Sequence, residues 1–131
     1  MRAFAARLAR GLGLAAWPAP LPTADLYLLA GFAGTDTQDL QRVGPNTWVA
    51  GAHVVVVRYV TDAELDLIGA RTWRTLSYVV DDLIPQAATS LELPDDYRRR
   101  LAAFAAGPMQ HLLARNPVIV APSAAILAAF P

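Results

Sequence analysis

Four short apolar runs stand out in the pattern of hydrophobic and polar positions along the chain. They cover residues 26–29, 54–57, 76–80 and 118–120. None of them alternates with polar residues in the way that a half-exposed strand does. Continuous apolar runs of this length are typical of strands that are buried on both faces, as in a parallel sheet.

The segments between these runs carry helix signals. Residues 61–64, Thr-Asp-Ala-Glu, form a capping box that predicts a helix ending at Gly69. A longer helical pattern covers residues 95–115, and the Gly-Pro pair at 107–108 is expected to kink or split it. A last helix is predicted near the C-terminus, with Ser123 as its N-cap.

Residues 30–53 give the weakest pattern, and we expect at most a short helix over residues 36–43 there. The order of elements predicts an α/β fold: a Rossmann-like open parallel sheet of about four strands with flanking helices, in three layers. Residues 1–20 are expected to form an N-terminal amphipathic helix and a Pro-rich lead-in, and residues 21–131 the domain itself. Because the sheet is small and the C-terminal helix is apolar, we expect further protein to follow.

Composition narrows the classes of function. The chain has 131 residues, a formal net charge of zero and 55% apolar residues, which is the size of one domain with a substantial core. Zero net charge argues against a nucleic-acid partner. The absence of cysteine excludes disulfides, zinc–thiolate sites and cysteine nucleophiles. We expect the protein in the cytoplasm.

The first residues form a basic amphipathic pattern with two interpretations. On a helical wheel, apolar residues share one side and arginines the other: Phe4, Leu8 and Leu12 against Arg2, Arg7 and Arg10. We favour a terminal helix whose apolar side packs on the domain. The alternative is peripheral contact of residues 2–12 with the anionic inner face of a membrane.

Polar side chains follow three of the predicted strands. They are Arg58, Tyr59, Asp81, Asp82 and Ser123. Because ligands of open parallel sheets gather at the carboxyl ends of the strands, these five residues are the candidates for a binding cleft. Consecutive strand residues point to opposite faces, so the two aspartates are not expected to chelate a metal together. We expect no metal and no cofactor.

Each candidate also has a structural interpretation. Arg58 ends a buried strand, where it either pairs with Asp81 or Asp82 or binds an anion, and the sequence leaves both open. We expect the two aspartates to have separate roles, one facing the cleft and one holding Arg58 or the turn. His53 and His111 lack neighbours at metal-ligand spacing and are expected to be packed or surface residues.

Three motifs together resemble a known family. They are RTLSYVVDDLI, LPDDYRRRL and NPVIVAPSAAILAAF. Their succession resembles the N-terminal domain of two-domain bacterial glycosyltransferases of the GT-B type (group 1), over roughly residues 25–131. One departure is Val80, which stands where some relatives carry another acid.

This resemblance implies transfer of a sugar from a nucleotide-sugar donor to an acceptor that the sequence does not identify. In that family the N-terminal domain shapes the acceptor side without a metal, and the C-terminal domain binds the donor. The chain would then bind a donor only with a C-terminal domain supplied, and little turnover is expected without it. The alternative is a non-catalytic α/β interaction module, or pseudo-enzyme remnant, that self-associates through the apolar C-terminal helix (Ile126, Leu127 and Phe130).

Overall fold

The computed structural model describes Phe32 and residues 39–130 of the chain. Five strands form a single sheet, and their order in the sheet is their order in the sequence. They are β1 (Gln41–Gly44), β2 (Thr47–Ala50), β3 (His53–Val57), β4 (Thr75–Val79) and β5 (Val118–Val120). The helices are α1 (Asp62–Gly69), α2 (Ile84–Ala87), α3 (Asp95–Ala106), α4 (Pro108–Leu113) and α5 (Ala124–Leu127).

The sheet is mixed. Strands β3, β4 and β5 are parallel, as the apolar runs predict, whereas β1, β2 and β3 form an antiparallel meander. The expectation of a wholly parallel sheet is therefore wrong for its first part. A two-residue turn joins β2 to β3, and its Gly51 has a φ of +60°, which glycine adopts without the steric cost of a side chain.

The helix expected over residues 36–43 is also wrong where the structure describes it, because Gln41 begins β1. Residues 47–50, Thr-Trp-Val-Ala, carry the β-branched and aromatic side chains that suit a strand. The apolar run at 26–29 and the N-terminal segment 1–20 lie outside the described residues.

Both faces of the sheet bear apolar clusters. On one face, β4 and β3 contribute Tyr78, Val54 and Val56, which pack with α1 and α4 through residues such as Ile68 and Leu112. We call this the helix face. The opposite face carries a second cluster of buried residues: Phe32, Leu40, Trp48, Ala50, Val55, Val57 and Val79. Burial on both faces explains why the central strands are continuously apolar.

The predicted helix boundaries are confirmed where local signals set them. Thr61 and Glu64 form the capping box at the start of α1, which ends at Gly69. Gly107 separates α3 from α4, and Pro108 occupies the first turn of α4, where its missing N–H has no helical partner to lose. The Ser123 Oγ accepts a hydrogen bond from the Ile126 N–H and caps α5. None of the described helices is long and apolar enough to cross a membrane.

Candidate functional site

The candidate site begins with a strained turn at the end of β3. Arg58 has a φ of +66°, a conformation that is rare for a residue with a side chain. The Tyr59 N–H donates to the Val57 carbonyl at 2.8 Å, which closes a three-residue γ-turn around Arg58. Turns of this type with a positive φ are strained. The backbone therefore leaves the strand abruptly at the edge where β4 also ends.

Three sets of contacts hold Arg58 in this conformation. Its N–H donates to the Val79 carbonyl at 2.8 Å, and its own carbonyl accepts the Tyr78 hydroxyl at 2.5 Å. Its guanidinium binds both oxygens of Asp81, with Nε donating to Oδ1 at 2.7 Å and Nη2 donating to Oδ2. The side chains of this ion pair are only 16% and 17% exposed. Strain that persists under such constraint is frequent at binding sites.

Asp81 is therefore held in an ion pair, whereas Asp82 has a different environment. Asp82 is exposed, and its Oδ1 accepts the Leu83 N–H at 2.8 Å, just before α2 begins. A carboxylate has capacity for further hydrogen bonds beyond this one. The two adjacent aspartates thus have separate roles, with Asp81 holding Arg58 and Asp82 facing solvent.

Two tyrosines complete the site, one from the turn after β3 and one from α3. Tyr59 packs edge-on against Phe104 with ring centroids 5.2 Å apart, and Tyr97 lines the same cavity. Burial is the main cause that raises the pKa of Tyr59 to about 12, and the neighbouring Tyr97 phenol and the negative charge of Asp82 add to it. At neutral pH the Tyr59 hydroxyl therefore keeps its proton.

Tyr78 lies beneath the site and is fully buried in β4. Burial raises the pKa of its phenol well above the ordinary value, with further contributions from Tyr59 and Asp81. Because the hydroxyl donates to the Arg58 carbonyl, it must keep its proton for this contact to exist. Tyr78 therefore fixes the strained turn from within the core.

These elements enclose a cavity of about 260 Å³ at the carboxyl edge of the parallel strands. Its lining residues are Arg58, Tyr59, Asp81, Asp82, Ile84 and Tyr97. Four of the five candidates from the sequence therefore meet in one cavity. Ser123, the fifth, is not among its lining residues, and its Oγ is engaged in capping α5. Tyr97 and Ile84 are additions, which reach the cavity from the start of α3 and from α2.

A buried carboxylate supports the same edge from behind. Glu64 is 3% exposed and accepts five hydrogen bonds. Two come from Thr61 (N–H and hydroxyl, both 3.0 Å), two from Asn46 (N–H at 2.9 Å and side-chain amide at 3.2 Å) and one from the Thr47 hydroxyl. A Cβ at Gly44 would lie 2.6 Å from the Glu64 Cγ, so glycine is needed there. Glu64 thus joins the β1–β2 turn to the start of α1.

The other candidates from the sequence have structural environments. The Nδ1 of His53 lies 2.6 Å from the Thr75 hydroxyl, and His111 is exposed in the last turn of α4. Within residues 39–130, no group of three or more histidine, aspartate or glutamate side chains is arranged to hold a metal ion.

A larger cavity of about 560 Å³ lies beside β5. Leu83 and Pro85 line it at the end near the first cavity, while Leu113 and Pro117 line it where α4 leads into β5. Ile119 and Phe130 contribute further apolar surface, and the Phe130 ring packs edge-on against Tyr78 at 6.4 Å. Phe130 and Ile126 are thus packed on the helix face, whereas Leu127 of the same C-terminal segment is 47% exposed.

Comparison of the chain with protein-family models, curated proteins and solved structures found no match.

Proposed function

We propose that the chain is the acceptor-side domain of a GT-B type glycosyltransferase and binds a hydroxyl-rich acceptor in the 260 Å³ cavity. The observation that carries this proposal is the meeting of Asp82, Tyr59 and Tyr97 at the carboxyl edge of β3 and β4. Ligands of sheets with parallel strands bind at this edge. The motif succession that ends in Asp81-Asp82 supports the same assignment.

The chemistry of the cavity favours a neutral polyol. The Asp82 carboxylate accepts hydrogen bonds from hydroxyl groups, and the two phenols both donate and accept them. Ile84 supplies apolar surface for the C–H face of a sugar ring. A phosphate group would meet the exposed charge of Asp82, while Arg58, the cation that lines the cavity among the described residues, binds Asp81. The cavity is therefore better suited to an acceptor than to a nucleotide.

The size of the cavity agrees with a small ligand. Its volume of about 260 Å³ lies just below the ~300–1,000 Å³ of pockets that hold drug-sized molecules. One sugar ring or a cyclitol is a ligand of this smaller size. Turnover needs a donor-binding domain, so the isolated chain is expected to bind an acceptor without transferring a sugar to it.

For the fold, we also propose a Rossmann-like arrangement in three layers. Two successive crossovers, from β3 to β4 and from β4 to β5, both carry their helices on the helix face. This is the expected result when crossovers of one hand advance in one direction along a sheet. The cluster around Phe32 and Trp48 on the opposite face provides the surface for a third layer.

The test is a titration of the full chain with neutral polyols and methyl glycosides, followed by amide chemical shifts. We expect the Leu83 amide to shift, because its N–H binds Asp82. Asp82→Asn should weaken binding at least about fivefold through loss of charge-assisted hydrogen bonds. Glu92→Gln is the matched control, since it makes the same change on an exposed acid that does not line the cavity. Equal affinity in both variants, or tight nucleotide-sugar binding by the chain alone, would contradict the proposal.

A further inference from the structure

The 560 Å³ cavity beside β5 has the dimensions of a ligand site of its own. Its volume lies inside the ~300–1,000 Å³ of pockets that hold drug-sized molecules. No described residue lines both this cavity and the smaller one at the carboxyl edge. Asp82 and Ile84 line the smaller cavity, whereas Leu83 and Pro85 line the larger. The segment 82–85 therefore separates two distinct cavities.

The deepest part of the larger cavity is apolar. Met109 lines it and is only 2% exposed, as a member of the apolar cluster on the helix face. Ile119 and Phe130 also line it, are partly buried and pack against the same cluster. Methionine adapts to irregular shapes, and its sulfur makes favourable contacts with aromatic rings. The base of the cavity therefore favours an apolar ring.

The polar groups of this cavity are carboxamides. Gln86, Gln110 and Asn116 line it, and all three residues are exposed, which places them toward its mouth. The Gln110 side-chain amide donates to the Ala105 carbonyl at 3.0 Å, so its oxygen is oriented as an acceptor. Carboxamides donate and accept hydrogen bonds without bringing a charge. They suit a hydroxyl or carbonyl group on the ligand.

The charge of the lining selects against ionic ligands. Among the described residues, no charged side chain lines this cavity. A carboxylate or phosphate that entered it would lose hydration without gaining a counter-charge, which is costly. The smaller cavity differs in this respect, since Arg58, Asp81 and Asp82 line it. The two cavities are therefore suited to ligands of different chemistry.

We propose that the 560 Å³ cavity binds a small uncharged molecule that has an apolar ring and a hydroxyl or carbonyl group. The ring packs against Met109, Ile119 and Phe130, and the polar group binds the carboxamides at the mouth. Apolar walls with a few polar groups that fix orientation are the usual composition of a ligand site. This site is additional to the acceptor cavity and does not depend on it.

The test is a titration of the full chain at neutral pH with 2-naphthol and with its charged counterpart, 2-naphthoate. The reporter is the methyl signal of Met109, one of two methionines in the chain. We expect 2-naphthol to shift this signal saturably and to bind at least about tenfold more tightly than 2-naphthoate, because the carboxylate finds no counter-charge. This comparison uses the unaltered chain, so it does not depend on the folding of a variant.

A pair of phenylalanine variants locates the binding. Ala129 is exposed and lines the cavity, so Ala129→Phe places a ring where the ligand would lie. We expect this variant to bind 2-naphthol at least about tenfold more weakly than the wild type. Ala128→Phe is the matched control, because it makes the same change at the adjacent exposed residue, which does not line the cavity. It should keep the wild-type affinity.

Four outcomes would overturn the proposal. They are an unchanged Met109 signal with 2-naphthol, equal affinity for the two probes, equal affinity in the two phenylalanine variants, and a Met109 signal that shifts with protein concentration alone. The last would show that a second copy of the chain fills the cavity. Failure of acceptor binding is distinguishable, since Asp82→Asn alters the smaller cavity and should leave the affinity for 2-naphthol unchanged.

Discussion

Replacement of Glu64 by glutamine tests the network that supports the candidate site. Each oxygen of the Glu64 carboxylate accepts at least one backbone N–H: Oε1 accepts that of Thr61, and Oε2 accepts that of Asn46. A glutamine amide has a single oxygen, so either orientation points its NH₂ group at one of these partly buried N–H donors. Threonine hydroxyls can rotate and accept instead, but a backbone N–H cannot. One partly buried donor therefore loses its protein acceptor in either orientation.

The magnitude follows from this count. A hydrogen bond to a charged acceptor contributes about 1.5–3 kcal/mol, and an unsatisfied buried donor costs about 1–3 kcal/mol. Since glutamine keeps some of the five bonds, we expect Glu64→Gln to lower the free energy of unfolding by about 3 kcal/mol. For a chain of this size that corresponds to a fall of roughly 10 °C in Tm.

The assay is urea denaturation followed by tryptophan fluorescence, to which Trp48 contributes; Trp48 is 5% exposed and adjoins Thr47 of the network. Asp66→Asn is the control, because it makes the same carboxylate-to-amide change at an exposed position of α1 and should stay within about 0.5 kcal/mol of wild type. Gly44→Ala should also destabilise, since its Cβ displaces the Glu64 side chain. Its effect should be smaller in the Glu64→Gln background than in wild type. A Glu64→Gln variant as stable as Asp66→Asn would refute the reasoning.

Two further predictions concern the strained turn and the buried phenols. Arg58→Gly and Arg58→Ala both remove the ion pair with Asp81, but only glycine tolerates a φ of +66° without strain. We therefore expect the Arg58→Gly variant to be more stable than Arg58→Ala by about 1 kcal/mol. An Arg58→Ala variant that is the more stable of the two would show that the turn is not strained. Because burial raises the pKa of Tyr59 to about 12 and that of Tyr78 further, their contribution to stability is complete below pH ~10, the ordinary tyrosine pKa, and is lost as the pH rises toward and beyond 12. Ultraviolet titration of phenolate absorbance should then show these two tyrosines ionising only well above pH ~10 or together with unfolding, whereas their ionisation at the ordinary tyrosine pKa in folded protein would contradict the assignment.

The sequence predicts those parts of the fold that short-range signals determine. The capping box at Thr61 and Glu64 acts within four residues, and the break at Gly107 follows from adjacent backbone constraints. Both are independent of tertiary packing, which explains why they are confirmed. The β1–β2 hairpin was not predicted, because its strands are four residues each and its turn is stabilised by Glu64, eighteen residues after Asn46.

Part of the candidate site could likewise be predicted from the sequence, and part could not. Parallel strands bring their carboxyl ends to one edge, so the convergence of Arg58, Tyr59, Asp81 and Asp82 was predictable from strand order alone. Tyr97 was not identified as a site residue, since its spacing on α3 matches the apolar side of the helix. The available signal was the phenol itself, because a half-buried tyrosine needs a polar partner for its hydroxyl.

Which of two adjacent aspartates is available to a ligand depends on a contact that strand alternation does not specify. Alternation separates Asp81 from Asp82 but assigns neither of them to Arg58. The γ-turn makes that choice, because its positive φ directs the guanidinium of Arg58 onto Asp81. The turn in turn depends on the Tyr78 hydroxyl, which binds the Arg58 carbonyl from the core of β4. Loss of that hydroxyl should therefore loosen the Arg58–Asp81 pair and, with it, the distinction between the two carboxylates at the cavity.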